Sequence, residues 1–173
     1  MSDCEDHVST RDEDFTEFAS ARWLPLVRAA MALGCPLTEA EDLAQTTLLR
    51  AYVSWEKVLK AHSLDAYVSK MLLNAFRDSH RRRWRRETPM AEVPDSPLTD
   101  PDVERADALR RAVRSLNQGQ REVLALRYFV RLNEAEIATT LNIAQGTVKS
   151  RLSRALATLA THADLAETES ADE

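Results

Sequence analysis

Glycine, aromatic residues and cysteine are scarce in this chain. Of its 173 residues only three are glycine and 6% are aromatic, whereas strands are enriched in aromatic and β-branched residues. Alanine, leucine, arginine and glutamate are plentiful instead, and all four are strong helix formers. We therefore predict an all-α fold.

Proline is absent from most of the chain, and its few positions mark where helices should break. Pro25 leads us to expect that a first helix, around residues 15–30, is interrupted or re-angled there. Pro89, Pro94, Pro97 and Pro101 fall in segment 87–104, whose six carboxylates face no lysine or arginine. Such a composition is typical of a flexible, solvated linker.

The acidic linker divides the chain into two small helical domains. We predict a first domain at 13–86, the linker at 87–104, a second domain at 105–162 and an acidic tail at 163–173. Each domain shows the apolar periodicity of helices.

Several features of membrane, secreted and catalytic proteins are missing. No apolar run of membrane-spanning length occurs, and the acidic N-terminus has no apolar signal region. We therefore predict a cytoplasmic protein. Cys4 and Cys35 form no disulfide framework; Cys4 with His7 is only half a metal site, and Cys35 is expected in the core rather than as a redox switch. No phosphate-binding loop, metal cluster or nucleophile–base motif appears, so we predict no enzyme, cofactor or metal.

Charge is segregated although the net charge is −5. Segment 70–86 contains seven cations and one carboxylate, Asp78. A helix after Ser63 would place one amide and four cations in a row: Lys70, Asn74, Arg77, Arg81 and Arg85. A solvated helix end is the alternative, but so many unopposed cations favour a nucleic-acid surface. The buried side of this helix is expected to hold Leu64, Val68, Met71, Leu72, Ala75, Phe76 and Ser79.

The helix before it, at residues 40–55, has two unlike faces. Thr38 is its expected N-cap. The predicted core stripe is Ala44, Leu48, Ala51, Tyr52 and Trp55. The opposite face consists of Asp42, Gln45, Thr46, Leu49 and Val53. Because two of these are apolar, periodicity leaves two interpretations open: a surface for a partner helix, or a solvated face that carries two apolar side chains.

The second domain contains the spacing of a helix-turn-helix. Asn133 and Glu136 form a capping-box pair. Ala138, Asn142 and Val148 then follow at the spacing of this motif. The small Ala138 lets the two helices approach, Asn142 tolerates the left-handed turn between them, and Val148 anchors the second helix. A plain helical hairpin is the alternative. In the helix at 120–129 we expect Val123, Leu124, Leu126 and Tyr128 to be buried, with Arg121 and Arg127 in solvent. In the last helix, at 147–160, the expected buried residues are Val148, Leu152, Ala155, Leu156 and Leu159.

Three blocks of the chain together resemble the small extracytoplasmic-function (ECF) sigma factors of RNA polymerase, of actinobacterial type. AEDLAQTTLLRAY is similar to the polymerase-binding helix of region 2, and LDAYVSKMLLNAFRDSHRRRWRR to the −10 reading part of that region. QREVLALRYFVRLNEAEIATTLNIAQGTVKSRLSRAL resembles region 4, which reads the −35 element. Their order, with the acidic linker between them, strengthens the resemblance.

The resemblance implies partners and a role for each surface. Core RNA polymerase would be bound at its β′ clamp and β flap, promoter DNA would be read, and an anti-sigma factor is a further possible partner. The implied clamp contacts are Asp42, Gln45, Thr46, Leu49 and Arg50. The family usually has an acidic residue where Thr46 stands.

The implied DNA contacts fall into two sets. The −10 set is Lys57, His62, Ser63, Asn74, Arg77, Arg81, Arg82 and Arg85, with a flipped base held by the loop around residues 57–63. The −35 set is Thr147, Lys149, Ser150, Arg151, Ser153 and Arg154.

Two other readings remain open. A stand-alone helix-turn-helix regulator would need a sensory or phosphoacceptor domain, and the first half has no such βα pattern. A helical adaptor that only binds polymerase would leave the basic row and the helix-turn-helix unexplained.

Overall fold

The computed structural model describes the backbone of residues 3–85 and 111–170, and the side chains of residues 11–82 and 111–162. The predicted linker at 87–104 lies outside these residues. Within them every regular element is a helix, which confirms the all-α prediction. The helices are α1 (Asp3–Leu33), α2 (Leu37–Val53), α3 (Trp55–Leu59), α4 (Leu64–Arg85), α5 (Gln118–Tyr128), α6 (Glu134–Leu141) and α7 (Gln145–Ser170), and residues 111–115 are also helical. No helix in the described ranges is long and apolar enough to cross a membrane.

Helix α1 runs through Pro25 as one continuous helix, so of the two expected outcomes, an interruption or a change of angle, the interruption was wrong. Leu26 and Val27, directly after the proline, are both buried. Their burial offsets the unfavourable effect of an internal proline, because each buried aliphatic side chain contributes about 1.5–3 kcal/mol. Helix α1 also begins at Asp3, before the predicted domain boundary at residue 13.

A cluster of aromatic side chains packs α1 against the end of α2 and against α3. Phe15 lies with its ring centroid 5.0 Å from that of Tyr52 and 5.1 Å from that of Trp55. The Tyr52 hydroxyl donates to Asp12 Oδ1 at 2.8 Å, and this bond to a carboxylate raises the pKa of Tyr52. Arg11 donates to the Tyr52 carbonyl at 2.9 Å, so it binds the carboxyl end of α2.

The start of α2 differs from the prediction. Pro36 is the N-cap, with φ −59° and ψ 157° and no side-chain cap bond, and Thr38 lies in the first turn. Proline suits this position because its fixed φ and missing N–H are tolerated at a helix start. The predicted core stripe is confirmed for Ala44, Leu48, Ala51 and Trp55, which are buried, whereas Tyr52 is half-buried.

Helix α4 begins after Ser63 as predicted, and its start is tied to α1. The Arg22 guanidinium donates to both oxygens of Asp65, at 2.8 and 3.2 Å. This hydrogen-bonded pair raises the pKa of Arg22. Val68, Leu72 and the other expected apolar residues of α4 are buried or half-buried, but Ser79 is exposed and was wrongly placed in the core.

The second half follows the predicted pattern with three exceptions, one of which is Arg121: it was expected in solvent but is half-buried against Gly34. Val123, Leu124 and Leu126 are buried as expected, whereas Tyr128 is exposed. Leu156 of α7 is exposed as well. The predictions for Tyr128 and Leu156 were wrong for one reason. Each residue lies at the edge of its helix's apolar stripe. The stripe shows which face of the helix is turned to the core, but not how much of that face the neighbouring helix covers.

The two halves share one apolar core, which the sequence did not predict. Helix α1 packs against α5, and α4 packs against α6. A single cluster of buried side chains includes Leu26 and Leu72 from the first half and Val123, Ile137 and Val148 from the second. A smaller cluster of Leu116, Leu124 and Ala155 lies within the second half alone.

Candidate nucleic-acid interface

The outer face of α2 presents apolar side chains beside polar ones. All five residues of the expected clamp-binding set, Asp42, Gln45, Thr46, Leu49 and Arg50, are exposed. Leu49 is 59% exposed, and Val53, one turn further on, is 81% exposed. Leu48, beside Leu49 in the chain, is only 8% exposed and belongs to the buried face. An exposed apolar pair in a polar surround is typical of a protein-binding surface.

A groove of about 280 Å³ separates α2 from α4. Asp42, Thr46 and Arg50 line one wall, and Arg82 lies on the other. The expected polymerase-binding face and part of the expected −10 set therefore border the same groove. Cys35 also lines it and is half-buried, so it is less enclosed than the expected core position.

The basic row on α4 forms an open ridge over its described length. Lys70, Asn74, Arg77 and Arg81 are all exposed, as the helical spacing predicts. Arg85 ends α4, and its side chain lies outside the described residues. Arg81 donates to Asp78 at 3.0 Å in an exposed pair one turn apart, which leaves both groups in solvent.

The segment before α4 is shorter than the expected loop. Lys57 belongs to helix α3, so the loop comprises only residues 60–63. Lys57 and His62 are exposed. The Ser63 hydroxyl accepts from the Ala66 N–H at 3.3 Å, a long bond that places this side chain at the start of α4.

Helices α6 and α7 form the predicted helix-turn-helix. The Asn133 side chain accepts from the Glu136 N–H, and the Glu136 side chain accepts from the Asn133 N–H, each at 2.9 Å. Asn142 ends α6 in the left-handed conformation, with φ 55° and ψ 52°. The Ile143 N–H donates to the Ala138 carbonyl at 3.0 Å, and Val148 is fully buried. The capping box, the left-handed turn and the anchor are all confirmed.

One side of α7 is exposed to solvent and could contact a DNA groove. Lys149, Ser150, Ser153 and Arg154 are exposed, and Thr147 is half-buried. Lys149 Nζ lies 3.7 Å from Glu134 in a solvent-exposed ion pair, and such pairs contribute little to stability. The exposed side chains lie near the start of α7, a position that suits contact with base edges in a major groove.

Arg151 lies apart from this open side. It is half-buried, and a Cβ placed on Gly119 would lie 2.9 Å from its guanidinium. Arg151 therefore packs against Gly119 at the start of α5.

Glu122 is a buried carboxylate that the sequence prediction missed. Its side chain is 8% exposed and accepts from Arg77 Nη2 at 3.0 Å and Nε at 3.3 Å. The Gln118 amide adds a long bond of 3.5 Å. The helical period could have predicted that Glu122 is buried, since it lies one turn before Leu126 on the buried face of α5.

Comparison with known proteins matches both halves of the chain to one family. The model of Sigma-70 region 2 matches residues 21–86, and that of Sigma-70 region 4 matches residues 106–159. The chain is 35% identical to the RNA polymerase sigma-E factor of Streptomyces coelicolor, over 84% of each chain. It is 32% identical to the ECF RNA polymerase sigma factor SigL of Mycobacterium tuberculosis, again over 84% of each. The chain belongs to the ECF sigma factors.

Two solved structures share the arrangement of the helices. The sigma factor RpoE of Bartonella quintana, solved with the anti-sigma factor NepR, matches with a TM-score of 0.74 and 26% identity, over 88% of this chain and 98% of that one. CnrH, solved with the cytosolic domain of CnrY, matches in fold with a TM-score of 0.69 and 22% identity, over 89% and 90% of the two chains. This sigma factor accordingly directs RNA polymerase to initiate at promoters, and the regulator alternative is not favoured.

Proposed function

We propose that this ECF sigma factor docks on the β′ clamp of core polymerase through the outer face of α2. The residues assigned to the contact are Asp42, Gln45, Thr46, Leu49 and Arg50. Exposed Leu49 would bury apolar area against the clamp, while the polar residues around it would set the register. Helix α2 is held rigidly by its buried face, so it presents these side chains already ordered.

The basic row and the loop before it are assigned to the −10 element. Asn74, Arg77, Arg81, Arg82 and Arg85 would follow the phosphates of the separated non-template strand. Lys57, His62 and Ser63 would border the position of a base turned out of the stack. Cations in a row suit a single strand, since the charge of its backbone is independent of sequence.

The exposed side of α7 is assigned to the −35 element as duplex. Ser150, Ser153 and Arg154 would meet base edges, whereas Thr147 and Lys149 would bind phosphate. Arg151, packed against Gly119, is assigned a contact at the margin of this surface. The β flap of the polymerase would hold this half over the −35 element.

This sigma factor would act in the cytoplasm, without a catalytic step or a cofactor of its own. The RpoE and CnrH structures were each solved with a second protein, and we assign an anti-sigma factor to this chain on that basis.

The observation that supports these assignments is the presence of three distinct surfaces in one chain: the mixed polar and apolar outer face of α2, the basic row of α4 and the exposed side of α7. Run-off transcription with purified core polymerase and a promoter library tests them together. We expect transcripts from a subset of promoters only when the chain is added. Equal initiation from those promoters by core polymerase alone would overturn the proposal, and tight polymerase-independent duplex binding would support the regulator instead.

A further inference from the structure

Arg131, in the turn between α5 and α6, has a backbone conformation that is unfavourable for arginine. Its φ is 66°, in the left-handed region. Glycine enters this region freely, whereas the Cβ of other L-residues is strained there. Within the described residues the other non-glycine residue with positive φ is Asn142, of a type that tolerates the conformation. Arg131 therefore stands where glycine would give a more stable turn.

The contacts of the next residue hold this conformation. The Leu132 N–H donates to the Leu126 carbonyl at 3.0 Å. The Leu132 carbonyl accepts from Arg127 Nη1 at 3.1 Å, and the Leu132 side chain is buried. A strained conformation persists only where its surroundings determine it. These contacts therefore keep residue 131 left-handed whichever side chain it carries.

The Arg131 side chain makes no contact within the fold that would offset the strain. It is exposed, and among the described residues it forms no hydrogen bond or ion pair. The two carboxylates that follow it in the chain are already engaged. Glu134 pairs with Lys149 at 3.7 Å, and the Glu136 side chain accepts from the N-cap of α6 at 2.9 Å. A stabilising contact for this cation therefore has to come from outside the chain.

The turn that carries Arg131 borders the exposed side of α7, the recognition helix. Glu134 Oε2 lies 3.7 Å from Lys149 Nζ, so the first turn of α6 lies beside α7. Arg131 precedes Glu134 by three residues, which span at most about 11 Å of backbone. When a recognition helix enters the major groove, the first helix of the motif crosses the phosphate backbone next to it. A backbone phosphate of that duplex is therefore the anion that Arg131 would meet.

We propose that Arg131 is a further contact to the −35 duplex, which binds a backbone phosphate beside the groove that α7 enters. The inference rests on the proposed function, since that function assigns the exposed side of α7 to this duplex. A phosphate contact carries no sequence information. Arg131 therefore raises the affinity for every −35 sequence alike and fixes the position of α6 on the backbone, at the cost of a less stable turn.

Three substitutions at residue 131 separate its charge from its backbone strain. Arg131→Lys keeps both, Arg131→Ala keeps only the strain, and Arg131→Gly removes both. The melting temperature of the full chain should change by less than about 2 °C with lysine or alanine. It should rise by about 2–4 °C with glycine. A glycine variant that melts no higher than wild type would overturn the proposal, because arginine would then not weaken the turn.

The second measurement is binding of the holoenzyme to a promoter duplex at several salt concentrations. Arg131→Ala and Arg131→Gly should bind about three- to tenfold more weakly than wild type, equally for all −35 variants. The slope of log affinity against log salt should become shallower by about 1. Arg131→Lys should stay within about threefold of wild type, because an ammonium group also binds phosphate.

Arg114→Ala is the matched control, because Arg114 is also exposed in the second half but precedes α5. It should bind the promoter within about twofold of wild type. If Arg131→Ala binds as this control does, while Arg154→Ala still loses discrimination among −35 sequences, the inference fails and the proposed function stands.

Binding to core polymerase without DNA tests the competing partner. Arg131→Ala should compete for core polymerase as well as wild type does. Weaker competition would place Arg131 on the polymerase and overturn the phosphate contact. A wild-type chain that supports no polymerase-dependent initiation would overturn the proposed function, and this inference with it.

Discussion

At the residue scale, the backbone at Asn142 decides the turn of the helix-turn-helix. Its φ of 55° lies in the left-handed region, which costs most residues about 1–2 kcal/mol but is tolerated by asparagine and free for glycine. We expect Asn142→Ala to lower the free energy of unfolding by about 1 kcal/mol and Asn142→Gly to change it by less than about 0.5 kcal/mol. Urea denaturation measures both. Equal losses in the two variants would contradict the conformational explanation.

Arg154 is the exposed arginine of α7 best placed for a base contact. Replacing it with alanine should weaken binding of the holoenzyme to its promoter by about 1–3 kcal/mol and reduce discrimination between −35 sequences. Competition binding against −35 variants of the duplex measures both effects.

Arg114→Ala is the matched control for Arg154, because Arg114 is also exposed in the second half but lies outside the recognition helix. It should leave discrimination among −35 sequences unchanged. A uniform loss over all sequences in Arg154→Ala would instead assign that side chain to phosphate.

At the element scale, two consecutive leucines of α2 are expected to have different roles: one stabilises the fold and the other binds the partner. Leu48 is 8% exposed and Leu49 is 59% exposed. We expect Leu48→Ala to lower the free energy of unfolding by about 2–5 kcal/mol, because it leaves a cavity. Leu49→Ala should change stability by less than about 0.5 kcal/mol but weaken binding to core polymerase by more than about 1 kcal/mol. Unfolding curves and competition for core polymerase measure the pair.

Unchanged polymerase affinity in Leu49→Ala would remove the outer face of α2 from the polymerase contact. The two leucines could be told apart from the sequence, because the 3.6-residue period turns Leu49 about 100° away from Leu48 and out of the buried stripe. The helix start could not be predicted in this way, since a proline N-cap gives no side-chain bond to look for, unlike the asparagine caps of α5 and α6.

At the scale of the whole molecule, the shared core predicts that the two halves unfold together. All three tryptophans, Trp23, Trp55 and Trp84, lie in the first half, so their fluorescence reports on that half alone. Ile137→Ala lies in the second half, is fully buried within the shared cluster, and should lower stability by about 2–5 kcal/mol. We expect the midpoint of tryptophan-detected unfolding to fall with it.

Val58→Ala, fully buried in the first half, is the control that the tryptophans respond to a core cavity. A tryptophan midpoint unaffected by Ile137→Ala, while circular dichroism shows a separate earlier transition, would mean that the halves unfold independently.

The sequence alone determined the helical class, the basic row, the exposed face of α2 and the helix-turn-helix, because each depends on local spacing, capping and charge. Only the tertiary structure decided that α1 packs on α5 and that Glu122 meets Arg77. Periodicity shows which face of a helix is buried, but not which helix covers it. That choice depends on contacts between residues far apart in the chain, and no local pattern encodes them.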